Sequence, residues 1–132
     1  MLSTLLLALV TSAHALDPAA VVGSWNITLT ATYSTCDNVK VGDILAQQWV
    51  FSAKSGHLEV QVLGAGSTSA SYAGDASSDG ISLHDNATPD PGGSKATITV
   101  DLTGDATAMT GRRVVSKSVP CTIMYDVTAK HQ

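Results

Sequence analysis

Gly23-Ser24-Trp25-Asn26-Ile27-Thr28-Leu29-Thr30-Ala31-Thr32-Tyr33-Ser34-Thr35-Cys36 is the stretch that decides the fold. Its odd positions Trp25, Ile27, Leu29, Ala31 and Tyr33 are apolar, and Asn26, Thr28, Thr30 and Thr32 between them are polar. A period of two sends successive side chains to opposite faces, so this is the pattern of a half-buried antiparallel strand. The run finishes at Cys36, and the only other cysteine, Cys121, opens the last run, where Ile123, Tyr125 and Val127 share a face. In a meander closed on itself, the end of the first strand lies beside the start of the last. Cys36 and Cys121 are therefore placed to staple the seam.

Six more short runs lie between. Ile44 to Ala53 carries Trp49 and Phe51 on one face, with Ile44, Ala46 and Val50 on the other. Leu58, Val60 and Val62 mark the third run, Tyr72 with Ala70 and Gly74 the fourth, Ile81 and Leu83 the fifth. Ala96, Ile98, Val100 and Leu102 alternate in the sixth, and Ala108 to Ser116 is the seventh. Lys54-Ser55-Gly56-His57, Gly64-Ala65-Gly66, Ser78-Asp79-Gly80, Gly104-Asp105 and Pro120 are the turn signals between runs. Asp85 to Ser94, with Pro89, Pro91, Gly92 and Gly93, reads as an exposed loop. A period of 3.6 is nearly absent. The exception is Asp17-Pro18-Ala19-Ala20-Val21-Val22-Gly23, which reads as one helical turn capped by Asp17 and left at Gly23.

Eight sequential strands with short connections predict an all-β, eight-stranded antiparallel up-and-down barrel. Closure removes the exposed edges that invite aggregation. An interior of that size is filled by side chains or holds one small ligand. An immunoglobulin-like β-sandwich is the alternative, since Cys36, Trp49 and Cys121 follow a Cys-Trp-Cys order. That pattern wants a tyrosine two residues before the second cysteine, where Val119 stands. The barrel carries one conflict of register. Cys36 directly opposite Cys121 would put Trp25 and Ile27 on the face of Met124 and Asp126 rather than of Ile123 and Tyr125. A bulge near Pro120, or a disulfide just beyond the ladder, would reconcile them.

Residues 1–15 read as a signal peptide. Leu5-Leu6-Leu7-Ala8-Leu9-Val10 is a short apolar core and Ala13-His14-Ala15 a small-x-small cleavage site. The core is far shorter than the ~20 residues of a spanning helix, so no membrane insertion is expected. Residues 16–132 are then a single domain, secreted or periplasmic, in which two cysteines most simply form one disulfide. The net charge is −4, and the basic residues are scattered apart from Arg112-Arg113, which argues against nucleic acid and anionic membranes as partners.

No catalytic or metal motif stands out, so neither an enzyme nor a cofactor is expected. His57, His84 and His131 fall on a turn, near a loop and at the terminus, without metal-ligand spacing, and read as surface residues. Asp85, Asn86 and Asp90 lack the alternate spacing of a calcium loop. Gly64-Ala65-Gly66-Ser67 lacks the lysine of a phosphate loop. Asn26-Ile27-Thr28 and Asn86-Ala87-Thr88 match the glycosylation sequon, which matters only in a eukaryotic secretory pathway. The aromatic residues Trp25, Tyr33, Trp49, Phe51, Tyr72 and Tyr125 are the candidates for lining a cavity. Gln47 shares the face of Trp49 and Phe51, and Arg113 that of Met109 and Val115, so both are candidate polar anchors.

A short turn, then Gly-x-Trp at Gly23 to Trp25 opening the first strand, then an eight-strand meander resembles the small secreted lipocalin-like (calycin) barrels. The resemblance covers the layout from Leu16 onward, and in sequence only its first few residues. It implies that Trp25 closes one end of the barrel and packs against an arginine of a late strand, Arg112 or Arg113. The chain departs from true lipocalins in having no helix after the last strand. It departs from avidin-like barrels in lacking the further tryptophans of a biotin site. The expected function is an exported, non-enzymatic binding module for a small apolar molecule. The alternative is a structural or inhibitor-like protein-interaction domain with a filled core.

Overall fold

A computed structural model describes residues 16–64, 71–77, 80–85, 96–118 and 120–132. The chain forms a short helix α1 (Pro18–Val21) and eight strands: β1 (Gly23–Ser34), β2 (Ile44–Lys54), β3 (His57–Gly64), β4 (Ser71–Ser77), β5 (Gly80–Asp85), β6 (Ala96–Gly104), β7 (Ala108–Lys117) and β8 (Cys121–His131). Every strand pairs antiparallel with its sequence neighbours, and β1 pairs with β8, which closes the barrel. The barrel holds and the sandwich falls, because a sandwich would leave β1 and β8 without this continuous ladder. Asp17 caps α1, its carboxylate accepting from the Ala19 amide at 3.0 Å.

The alternation in the sequence becomes an inside and an outside. Trp25, Ile27, Leu29 and Ala31 of β1, Trp49 and Phe51 of β2, and Leu58, Val60 and Val62 of β3 are buried in the interior. Tyr72, Ile81, Leu83, Val100, Leu102, Met109, Val115, Ile123, Tyr125, Val127 and Ala129 complete it. Asn26, Thr28, Glu59, Gln61, Asp101, Arg112 and Asp126 point outward and are largely solvent-exposed. An apolar interior inside a polar wall is the reverse of a transmembrane barrel. No helix among the described residues is long and apolar enough to cross a membrane.

The register conflict is resolved by a bulge, but in β1 and not near Pro120. Up to Ala31↔Tyr125 the odd residues of β1 face odd residues of β8. The register then shifts, so that Tyr33 pairs with Met124 and Ser34 with Ile123. Thr32 is the extra residue, and its hydroxyl donates to the Met124 carbonyl at 3.3 Å. Continued past the ladder, the shifted register brings Cys36 opposite Cys121. They form a disulfide with Cα atoms 5.1 Å apart, just beyond the last β1–β8 pair. The same shift corrects the expectation for Tyr33. One inserted residue reverses every later side chain, and Tyr33 stands on the outer wall, 47% exposed.

Two inward-facing glycines let the wall bend. A Cβ at Gly74 would run into the backbone carbonyl of Ser82, and one at Gly111 into that of Asp101. Only glycine lets the neighbouring strand pass so close, as corners of small barrels require. At the β2–β3 hairpin, Ser55 (φ 54°) and Gly56 (φ 82°) both adopt the left-handed conformation of a two-residue turn whose twist matches the strands.

Candidate functional site

The barrel has two unlike ends. Helix α1, the β2–β3, β4–β5 and β6–β7 connections and the C-terminus gather at one, which we call the closed end. The β1–β2, β3–β4, β5–β6 and β7–β8 connections gather at the other, the loop end, together with the disulfide.

Trp25 plugs the closed end, as the resemblance implies. It is fully buried, and its indole N–H donates to the Val21 carbonyl at 2.8 Å, tying α1 across the opening. Its partner is not an arginine. The imidazole of His131 stacks on it, with ring centroids 4.4 Å apart and planes within 10°. Nδ1 of His131 lies 2.7 Å from the Ala106 carbonyl, and Nε2 lies 3.1 Å from that of Val22. The late strand does supply a ring-stacking side chain, but from the end of β8. His131 is thus a packed residue of the closed end and not a surface histidine. Sequence reasoning missed it because parity alone does not reveal that the chain folds back over the opening. Phe51 lies beside Trp25, with ring centroids 5.8 Å apart.

Polar groups enter the interior on the loop side of this plug. Gln47, 8% exposed, accepts the indole N–H of Trp49 at its Oε1, 2.9 Å away. The Trp49 ring meets Tyr72 edge-on, with centroids 5.2 Å apart and planes at 68°. The Tyr72 hydroxyl accepts a hydrogen bond from Nε of Arg113 at 3.1 Å. The Arg113 guanidinium carbon sits 5.0 Å from the Tyr125 ring centroid. Gln47, Trp49, Tyr72, Arg113 and Tyr125 therefore form one chain of contacts across the interior. Seven of the eight candidates, Trp25, Phe51 and these five, face inward, and Tyr33 does not.

The two neighbouring arginines separate cleanly. Arg112 is outward, with Asp101 and Asp126 as its cross-strand neighbours. Arg113 is inward and half-buried, and among the described residues no carboxylate lies within ion-pair distance of it. Sequence parity placed Arg113 inside. The link to Tyr72 spans 41 positions and leaves no local signal.

The outer wall carries ordinary surface chemistry. His57 pairs with Asp75, both about two-thirds exposed, and His84 is exposed beside Asp85. In the β6–β7 turn the Thr107 hydroxyl (2.6 Å) and the amides of Thr107 (2.8 Å) and Ala108 (3.0 Å) all donate to the Asp105 carboxylate. Those bonds hold its pKa below the ordinary aspartate value, the Thr107 hydroxyl contributing most. Among the described residues no group of three His, Cys, Asp or Glu side chains could hold a metal ion. Asn26 is exposed on β1, whereas Asn86 and Asp90 lie outside the described residues.

No family model matches the chain, and neither does any curated protein. Among solved structures, one described as a redesigned β-barrel covers 92% of this chain and 99% of its own at 18% identity, with a TM-score of 0.46.

Proposed function

We propose that the protein is an exported, non-enzymatic binding module of the lipocalin-like type. In this reading it holds a small, mostly apolar molecule in the loop-end half of its barrel. The observation that carries the reading is the uneven interior. The closed end is lined by apolar side chains and plugged by Trp25, while Gln47, Tyr72, Arg113 and Tyr125 sit among apolar walls toward the loops. A small-molecule site is mostly apolar with a few convergent polar groups that fix orientation. Stability alone does not call for an arginine inside a barrel, since a buried charge without a counter-charge is unfavourable. The disulfide supports an oxidising compartment.

A second reading rests on a different observation. The inward side chains are nearly all exposed by 3% or less, which favours a filled core and a protein partner bound at the loops. Native mass spectrometry of the purified protein, with a thermal-shift panel of small apolar compounds, separates the two. A retained or stabilising ligand of a few hundred daltons supports the binding module. A bare mass with no shift across the panel refutes it and leaves the filled barrel.

A further inference from the structure

We infer that the Cys36–Cys121 crosslink is a thiol-exchange site, at which Cys121 is the sulfur attacked and a small peptide thiol of the glutathione class is the reactant. This is independent of what the interior holds. The two sulfurs are unequally placed. Cys36 is buried, 7% exposed, whereas Cys121 is half-buried at the mouth of the loop end. A surface cleft of about 400 Å³ opens on the crosslink, and its lining includes Asp37 from the β1–β2 connection and Lys117 from the end of β7. That size falls in the range of sites that hold small molecules. Lys117 is the direct cross-strand partner of Cys121, so its side chain shares a face with the more exposed sulfur.

Access decides which sulfur of a disulfide is attacked, and exposed crosslinks are the labile ones. The entering thiolate forms a bond to Sγ of Cys121, the Cys36–Cys121 bond breaks, and Cys36 leaves as a thiolate that takes a proton from water. A second equivalent of the same thiol attacks the mixed disulfide at the sulfur of the first. It releases Cys121 and carries two electrons away as the disulfide of the reactant. The barrel keeps its seam throughout, because the Thr35 amide donates to the Thr122 carbonyl at 2.9 Å without help from sulfur. Cys36 is also anchored on its own. Its amide donates to the Ser34 hydroxyl at 3.2 Å, and that hydroxyl donates to the Val39 carbonyl at 2.7 Å. The released thiolate therefore stays within reach of Cys121, and the first step is reversible. The charges of the cleft choose the thiol. Glutathione brings carboxylates for Lys117 and an ammonium for Asp37, so it fits better than a neutral thiol.

Treating the purified oxidised protein with reduced glutathione or 2-mercaptoethanol, quenching with an alkylating reagent and mapping the peptides by mass spectrometry tests this. Glutathione should open the crosslink in buffer without denaturant. Its adduct should sit on Cys121 and the alkyl group on Cys36, with near-UV circular dichroism unchanged. Lys117→Ala should slow glutathione about two- to fivefold, the range of an exposed charge pair, and leave 2-mercaptoethanol unaffected. Lys117→Glu should slow glutathione further. The adduct map and the dependence on denaturant are read on the wild-type protein, so they decide the matter even if a Lys117 variant fails to fold. An adduct on Cys36 overturns the inference, and so does a crosslink that opens only at urea concentrations that unfold the barrel. Equal slowing of both thiols by Lys117→Ala overturns it as well.

Discussion

Removing the Cys36–Cys121 crosslink should act on the unfolded chain far more than on the folded barrel. The folded seam has its own hold at that point. Thr35 donates its amide to the Thr122 carbonyl at 2.9 Å, and the Thr122 amide donates to the Thr35 hydroxyl at 2.9 Å. The β1–β8 ladder then runs on through Ser34↔Ile123 to Trp25↔His131. What the crosslink restrains is a loop with a sequence separation of 85 residues. The chain-entropy relation for a loop of that length gives about 4–5 kcal/mol at 25 °C. For a domain of roughly 120 residues the unfolding entropy is ~0.25 kcal/mol/K, so Tm should fall by about 15–20 °C. The assay is urea denaturation and thermal melting of the Cys36→Ala/Cys121→Ala variant beside the oxidised protein. The urea midpoint should drop and the m-value should rise, because the denatured chain without its crosslink exposes more surface. Near-UV circular dichroism in buffer should be unchanged. A loss below about 1 kcal/mol with an unaltered m-value would refute the entropic reasoning. A native spectrum already lost without denaturant would place the effect in the folded state instead.

Three further outcomes are expected. Gly74→Ala and Gly111→Ala each drive a methyl group into the backbone carbonyl of the adjacent strand, so each should destabilise by about 3 kcal/mol or more; full stability in a urea melt would show that the strands can separate there freely. His131→Ala removes the ring stacked on Trp25 and its contacts to two carbonyls, for a loss of about 1–2 kcal/mol and a red shift of tryptophan emission; unshifted emission would show that Trp25 stays sealed without it. The Asp105 carboxyl is held below its ordinary pKa, so its contribution is present above the unfolded-state pKa and fades as pH falls through the lower folded value. The gap in urea midpoint between wild type and Asp105→Ala should therefore be full at pH 7 and close in acid, and a gap constant with pH would remove the carboxylate from the turn's stability.

The sequence carries the barrel because every strand repeats one instruction, alternation ended by a turn residue, and no long-range knowledge is needed to read it. Parity along a strand likewise assigns Gln47 and Arg113 to the interior. It fails where one residue is inserted. Thr32 has the composition of any other position on the wet face of β1, yet as a bulge it turns Tyr33 outward and aligns the cysteines. No local pattern marks it, because the bulge is set by the need to satisfy β8 and the disulfide together. The partner of Trp25 was hidden for a similar reason. His131 reaches it only once the last strand has closed the barrel, and that juxtaposition belongs to the topology rather than to the residues near either one.

The two ends of this barrel reach closure by different physics, and the difference bears on the site. At the closed end, α1, a stacked His131 and a fully buried Trp25 seal the interior by packing and hydrogen bonds. The loop end carries the disulfide in addition to packing. Its connections include the long segments between β1 and β2 and between β5 and β6, and its interior gives space to an arginine, a glutamine and two tyrosines. Each polar side chain there displaces apolar burial worth about 1.5–3 kcal/mol per large residue. A covalent link does not depend on that burial. Placing the disulfide where the β1–β8 seam opens toward the loops restores, through the unfolded chain, stability comparable to one or two such side chains.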